Sequence, residues 1–236
     1  MTNSKNHSIS SQLIKAYRNT VYEVHSQGQD IHLNIGKVNR DLVALMKQKG
    51  VTTATFLTAF NPFSKQLSIE ENQSAQEKLL SDLDKLSISI VSGQGKDVTG
   101  LWSPDPSFLA LGISLQDAET LADRYSQNAF VWIGNLDGFV SLRLRYPIEI
   151  PSQEELYQWI SHLPVHLQES AKSLTHTELA WLMSVPNEEV EHWLSPHLWD
   201  LNQPWPIAKP DGSAMGVGTE LDRVFRLIHA GVQSLI

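Results

Sequence analysis

The segment that most constrains this chain is Phe56–Asn72, FLTAFNPFSKQLSIEEN. The apolar run Ala54–Phe60 ends at Asn61-Pro62. Proline lacks a backbone N–H and fixes φ, so a central strand stops there. Ser68 then precedes Glu71 by three residues, the S-x-x-E spacing of a capping box, and a helical pattern runs on to Leu86. The segment therefore predicts a strand, a polar loop and a helix whose first turn carries Glu70, Glu71 and Asn72.

The flanking sequence extends this unit. Val21–His25 and Ile31–Ile35 read as strands joined by the loop Ser26–Asp30. Asn39 caps a helix that Gly50 stops. Leu79, Leu80, Leu83 and Leu86 form the expected core stripe of the helix after Ser68. Ile88–Val91 reads as a strand leading into a glycine-rich loop, Gly93-Gln94-Gly95, with turn-rich sequence as far as Pro106. A strand over Ser107–Ile113, a helix capped by Ser114, and a hairpin of Ala129–Ile133 with Phe139–Leu144 complete the region. This order predicts an α+β fold, a mostly antiparallel sheet under a helical layer, with a ferredoxin-like centre.

PIEIP at 147–151 reads as a linker, and the sequence beyond it as all-helical. The expected organisation is a flexible N-terminus over 1–15, an α+β domain over 16–146 and a helical domain over 152–236. Charge divides unevenly between these parts. Residues 1–149 hold 14 Lys+Arg and 15 Asp+Glu, whereas residues 150–236 hold 4 and 11, which places most of the net −8 in the last third. Nucleic-acid binding draws its affinity from Lys and Arg on phosphates, so this balance weighs against nucleic acid as a partner. With no Cys there is no disulfide framework and no thiol nucleophile. No apolar run reaches the ~20 residues of a membrane helix, and the polar opening MTNSKNHSISSQ lacks a signal-peptide core. A cytoplasmic protein fits these features.

Three blocks carry a resemblance: FLTAFNPFSKQLSIEEN, GQGKDVTGLWSPDPSFLALGIS, and the helix leading to QNAFVWI. In this order and spacing they resemble the bacterial domain-of-unknown-function 3293 family, over about Ala16 to Leu144. The resemblance implies a compact α+β domain and transfers no activity. The family pattern has a Glu before the Pro-Ser pair that lies within GQGKDVTGLWSPDPSFLALGIS here, where this chain has the shorter Asp105.

Polar residues gather at the expected strand ends and at one helix N-terminus. They are Asn61, Ser64, Glu71, Asn72, Gln94, Asp97, Trp102, Asp105, Ser107 and Gln127. Loop ends on a rigid scaffold favour ligands, and a helix N-terminus favours anions, so this set is the candidate site for a small anionic, nucleotide-like ligand. The competing reading makes Asn61, Ser68, Glu71 and Asp97 caps of turns and helices. No spacing selects an acid–base pair from Glu70, Glu71, Asp97 and Asp105. GQGKDVTG lacks the following helix of a dinucleotide site. His162 with His166, and Glu188 with His192, lie four apart but form no zinc motif, so no metal and no cofactor is assigned.

Leu174–Leu194 has the pattern of a helix-turn-helix pair, yet its second helix offers Glu188, Glu189, Glu191 and His192 rather than Arg or Lys. A protein-facing module fits that surface better than DNA does. Glu188, Glu191, Trp199 and Trp205 are the candidate partner-binding residues, for a protein partner or a homo-oligomer. The leading expectation is a binding or regulatory protein without enzymatic activity. An enzyme or sensor for a small anion at the loop-end cluster is the alternative, and a DNA-binding regulator the third.

Overall fold

The computed structural model describes residues 7–26, 28–97, 103–172, 174–184, 190 and 207–208. They divide into two compact units. One holds residues 19–145 with 207–208; the other holds residues 7–18 with the described residues from 146 to 190.

The larger unit is built on β1 (Val21–Val24), β2 (Ile31–Leu33), β3 (Ala54–Leu57), β4 (Ser89–Lys96), β5 (Asp105–Leu111), β6 (Ala129–Ile133) and β7 (Ser141–Leu144). Helices α2 (Arg40–Gln48), α3 (Ile69–Lys85) and α4 (Leu115–Arg124) connect them. The strands lie in the order β2-β1-β4-β5-β3-β6-β7, each antiparallel to its neighbours, and the short β8 (Ile207–Ala208) adds in parallel to β7. Within this sheet β3-α3-β4-β5-α4-β6 is a β-α-β-β-α-β unit in the order β4-β5-β3-β6, the ferredoxin-like centre expected from the sequence.

All four residues of β3 are buried, as its near-continuous apolar sequence requires of a strand covered on both faces. Leu57, Ala110, Phe130 and Trp132 meet Leu79 and Leu83 of α3 and Ala118, Leu121 and Ala122 of α4. The intervening strand residues Ala54, Phe56, Leu109, Leu111, Val131 and Ile133 are buried on the other face. The sheet curls until its far ends meet: Val38, beyond β2, bridges Phe139, before β7. Gly36 N–H donates to Val140 O and Val140 N–H donates to Lys37 O, which secures that seam.

Local signals account for most boundaries. Asn39 accepts from Leu42 N–H at the start of α2, and Gly50 takes φ +67° past its end. Ser68 and Glu71 form the expected capping box. The stripe of α3 differs from expectation. Leu80 and Leu86 are exposed, and the buried positions are Asn72, Gln76, Leu79 and Leu83. Two amides thus replace leucines on the inner face near the N-terminus, where the helix covers a loop rather than the sheet. Strand β3 also ends at Leu57, short of the expected Phe60, because Thr58 and Ala59 turn to bond Gln76.

Asp82 ties α3 to α4. Its carboxylate accepts from Lys85 Nζ (2.7 Å), Arg124 Nη1 (2.6 Å) and Tyr125 Oη (2.9 Å). These donors hold the Asp82 carboxyl far below the usual carboxylate range. Burial, followed by the Asp82 hydrogen bond, pushes the Tyr125 phenol up to about 12.

The smaller unit contains α1 (Ser11–Asn19), α5 (Gln153–His162), α6 (Val165–Lys172) and α7 (His176–Met183). The N-terminal stretch expected to be flexible therefore includes a helix from Ser11, with Ile14 fully buried and Ser11 Oγ donating to Ala180 O at 2.8 Å. Leu156, Ile160, Leu167, Ala171, Leu179, Leu182 and Val190 make its core. Capping boxes Ser152–Glu155 and Thr175–Glu178 start α5 and α7 as their spacing indicates. The second half of the helix-turn-helix pattern lies mostly outside the described residues.

Candidate functional site

The C-terminal end of β3, the N-terminal ends of β5 and β6 and the first turn of α3 meet at one end of the sheet. Antiparallel register puts them there: Leu57 faces Phe108, and Phe56 faces Val131. The connection from β3 to α3 is unusual. Asn61, Phe63 and Ser64 all take left-handed backbone angles (φ 50°, 54° and 55°), and Pro62–Ser64 forms a single 3-10 turn. For residues with a Cβ each such angle costs roughly 1 kcal/mol or more, so the surrounding structure must hold it.

Side-chain amides do the holding. Asn61 N–H donates to Asn72 Oδ1 (2.8 Å), and Asn72 Nδ2 donates back to Asn61 Oδ1 (3.0 Å). Asn61 Nδ2 donates to Asp105 Oδ1 (3.0 Å), joining the loop to the first residue of β5. Leu67 N–H also donates to Asn61 Oδ1, at 3.2 Å. One turn further along α3, Gln76 Oε1 accepts from Ala59 N–H (2.8 Å). From the other side Gln127 Nε2 donates to Phe60 O (3.0 Å), Asn128 Nδ2 to Ser64 Oγ (3.2 Å), and Phe63 N–H to Ser126 O (2.8 Å). The structure thus brings together Asn61, Asn72 and Asp105 directly, with Ser64 and Gln127 beside them.

Glu71 and Gln94 separate from this group. Glu71 faces Ser68, whose backbone N–H and hydroxyl both donate to its Oε2 (3.1 and 2.9 Å) and hold its carboxyl below the usual range. Ser107 Oγ turns back on Asp105 O (3.0 Å), and Asp97 is buried just past the end of β4. Gln94 is not in a loop. Strand β4 runs on through Gly93-Gln94-Gly95 to Lys96, and Gln94 stands opposite Glu23 of β1. Gly93 serves packing. A Cβ on Gly93 would lie 2.3 Å from Glu23 O and 2.7 Å from Phe56 Cε2. Trp102, Glu188, Glu191, Trp199 and Trp205 lie outside the described residues.

Burial pushes the Asp105 carboxyl above its usual range, and the Asn61 amide offsets part of that rise. The fold therefore favours the protonated acid more than the unfolded chain does. Stability from this group is greatest below the ordinary carboxylate pKa and declines as pH rises from there through the raised folded value. Asp105→Asn keeps an acceptor for Asn61 and removes the buried charge. Its thermal midpoint is expected to match the parent in acid and to exceed it at neutral pH. A difference that stays constant across that range would show that the charge is not the cause.

A second cluster escaped the sequence reading. Glu23, His25 and Asp30 of the β1–β2 hairpin bring one ligand atom each within 4.8 Å of the others. The signal is present in the sequence as E-x-H and D-x-H on the two arms of one hairpin. Reading metal patterns at helical spacing passed over it.

These geometries can be set beside known families. Residues 57–130 match the family described as a protein of unknown function, DUF3293. The DUF3293 segment runs from the last residue of β3 to the second residue of β6, narrower than the expected span of 16–144. Every residue of the loop-end set from Asn61 to Gln127 falls inside it, and the β1–β2 hairpin falls outside. No curated protein and no solved structure matches the chain.

Proposed function

We propose that this chain is a binding module that recognises a protein surface, a partner's or that of a second copy, through the clamped loop between β3 and α3. The observation that carries this reading is the price of that loop. Three left-handed non-glycine residues are held by a network of amides, and the segment they position, Ser64–Glu71, is exposed. Two apolar side chains stand out on it, Ile69 at 68% exposure and Leu67 at 37%. A preorganised loop loses little entropy on binding, which is the use such a clamp has for recognition.

A small anionic ligand at the same place has less support. Glu70 and Glu71 occupy the α3 N-terminus, where an anion would meet two like charges, and the Glu71 carboxylate already bonds the capping residue. The acidic composition of residues 150–236 weighs against a DNA-binding role in the same way.

The test uses the full chain and Ile69→Asp. Sedimentation velocity from micromolar to hundred-micromolar protein reads self-association, and tagged parent and variant used as bait read partner capture. The expected result is a self-association or a captured protein that Ile69→Asp loses while its thermal midpoint is unchanged. Parent and variant that are both monomeric and capture the same proteins would overturn the reading.

A further inference from the structure

Strand β1 lies between β2 and β4, so its backbone is fixed on both sides. Its register sets Glu23 opposite His32 and Val24 opposite Ile31, which brings His25 level with Asp30 at the end of the ladder. Val24, Ile31 and Leu33 point into the core and are buried. By strand alternation Glu23, His25, Asp30 and His32 share the other face, where His25, Asp30 and His32 are exposed and Glu23 is half-buried. Two imidazoles and two carboxylates thus stand in cross-strand pairs on a rigid hairpin.

The spacing of the donor atoms is informative. His25 Nδ1 is 3.5 Å from Asp30 Oδ2 and 3.8 Å from Glu23 Oε1. These distances are too long for good hydrogen bonds. They are close to the edge of a tetrahedron around an ion with bonds of about 2.1 Å, which is roughly 3.4 Å. The bland alternative is a pair of exposed acid–imidazole contacts, each worth at most about 1 kcal/mol and only when the imidazole is protonated. That alternative explains two neighbours in contact. It does not require all three ligand atoms to converge.

We propose that the exposed face of the β1–β2 hairpin binds a borderline divalent transition-metal ion of the zinc class through Glu23, His25 and Asp30. Imidazole in the donor set selects such ions over magnesium or calcium, which prefer oxygen alone. The ligands come from both arms of the hairpin, so the ion would join them. The site is separate from the β3–α3 loop, and its success or failure leaves the binding-module reading untouched.

Calorimetric titration of the chelator-treated full chain with zinc chloride tests this. One site of micromolar affinity is expected, with magnesium unable to displace the zinc. His25→Ala and Asp30→Asn should each weaken binding at least tenfold, while His176→Ala, at an exposed histidine of the smaller unit, should leave it unchanged. Metal-free thermal midpoints of the hairpin variants should equal the parent's, since both side chains are exposed. Zinc binding weaker than millimolar, equal affinity in His25→Ala and the parent, or displacement by magnesium at equal concentration would each overturn the proposal.

Discussion

Gly93→Ala should lower stability by about 3 kcal/mol or more, roughly 10 °C in the thermal midpoint of a chain this size. The added Cβ would meet the Glu23 carbonyl oxygen at 2.3 Å and the Phe56 ring at 2.7 Å. Neither neighbour can yield cheaply. Glu23 belongs to a strand paired on both sides, and Phe56 is 3% exposed and stacks edge-on against Tyr22 at 5.6 Å. Gly95→Ala is the matched control, because a Cβ there would touch only Thr20 Cγ2 at an ordinary 3.7 Å. Equilibrium denaturation of both variants reads the difference. Equal losses at 93 and 95 would mean that the close approach at Gly93 is not the source of the cost.

Asn72→Ala carries the second large effect, about 2–3 kcal/mol. Asn72 is 5% exposed, and both ends of its amide bond Asn61, so alanine strands the Asn61 N–H and removes one hydrogen bond of the Asn61 side chain, leaving those to Asp105 and Leu67. The left-handed angles at Asn61, Phe63 and Ser64 then lose a principal restraint. Limited proteolysis should cut between residues 61 and 68 faster than in the parent, beyond what the global loss explains. Unchanged cleavage with the full loss of stability would place the effect in helix packing instead.

The parts of this fold governed by local chemistry were legible from the residues alone. Asn39, Ser68, Ser114, Ser152 and Thr175 all cap the helices their spacing announced. The β-α-β-β-α-β centre followed from the order of those elements. Features that depend on tertiary pairing were not. Gly93 and Gly95 carry no β-propensity, yet pairing with β1 and β5 keeps them in a strand. Leu80 and Leu86 each lie three residues from Leu83, a helical spacing like that of Leu79 and Leu83, and only the position of the sheet decides which leucines are buried. Helix α1 was not expected, although Ser10, whose Oγ accepts from Leu13 N–H, marks its start.

The candidate site divides along the same line. Asn61, Asn72 and Asp105 were singled out as polar residues at converging loop ends, and they do converge. Their mutual hydrogen bonds could not be read from the sequence, because a 44-residue separation joins Asn61 to Asp105. Glu71 was grouped with them on its place in the first turn, although its capping partner was already visible three residues away.

The seam between Val38 and Phe139 bears on how the molecule assembles. It joins segments about a hundred residues apart in the chain, and closing so long a loop is slow and entropically costly. The β3–β6 centre can form before it from nearer neighbours. Amide protons at Gly36, Asn39 and Val140, which donate across the seam, belong to the last pairing formed and the first released. They should exchange with solvent ahead of those in β3, through openings that leave the centre of the sheet intact.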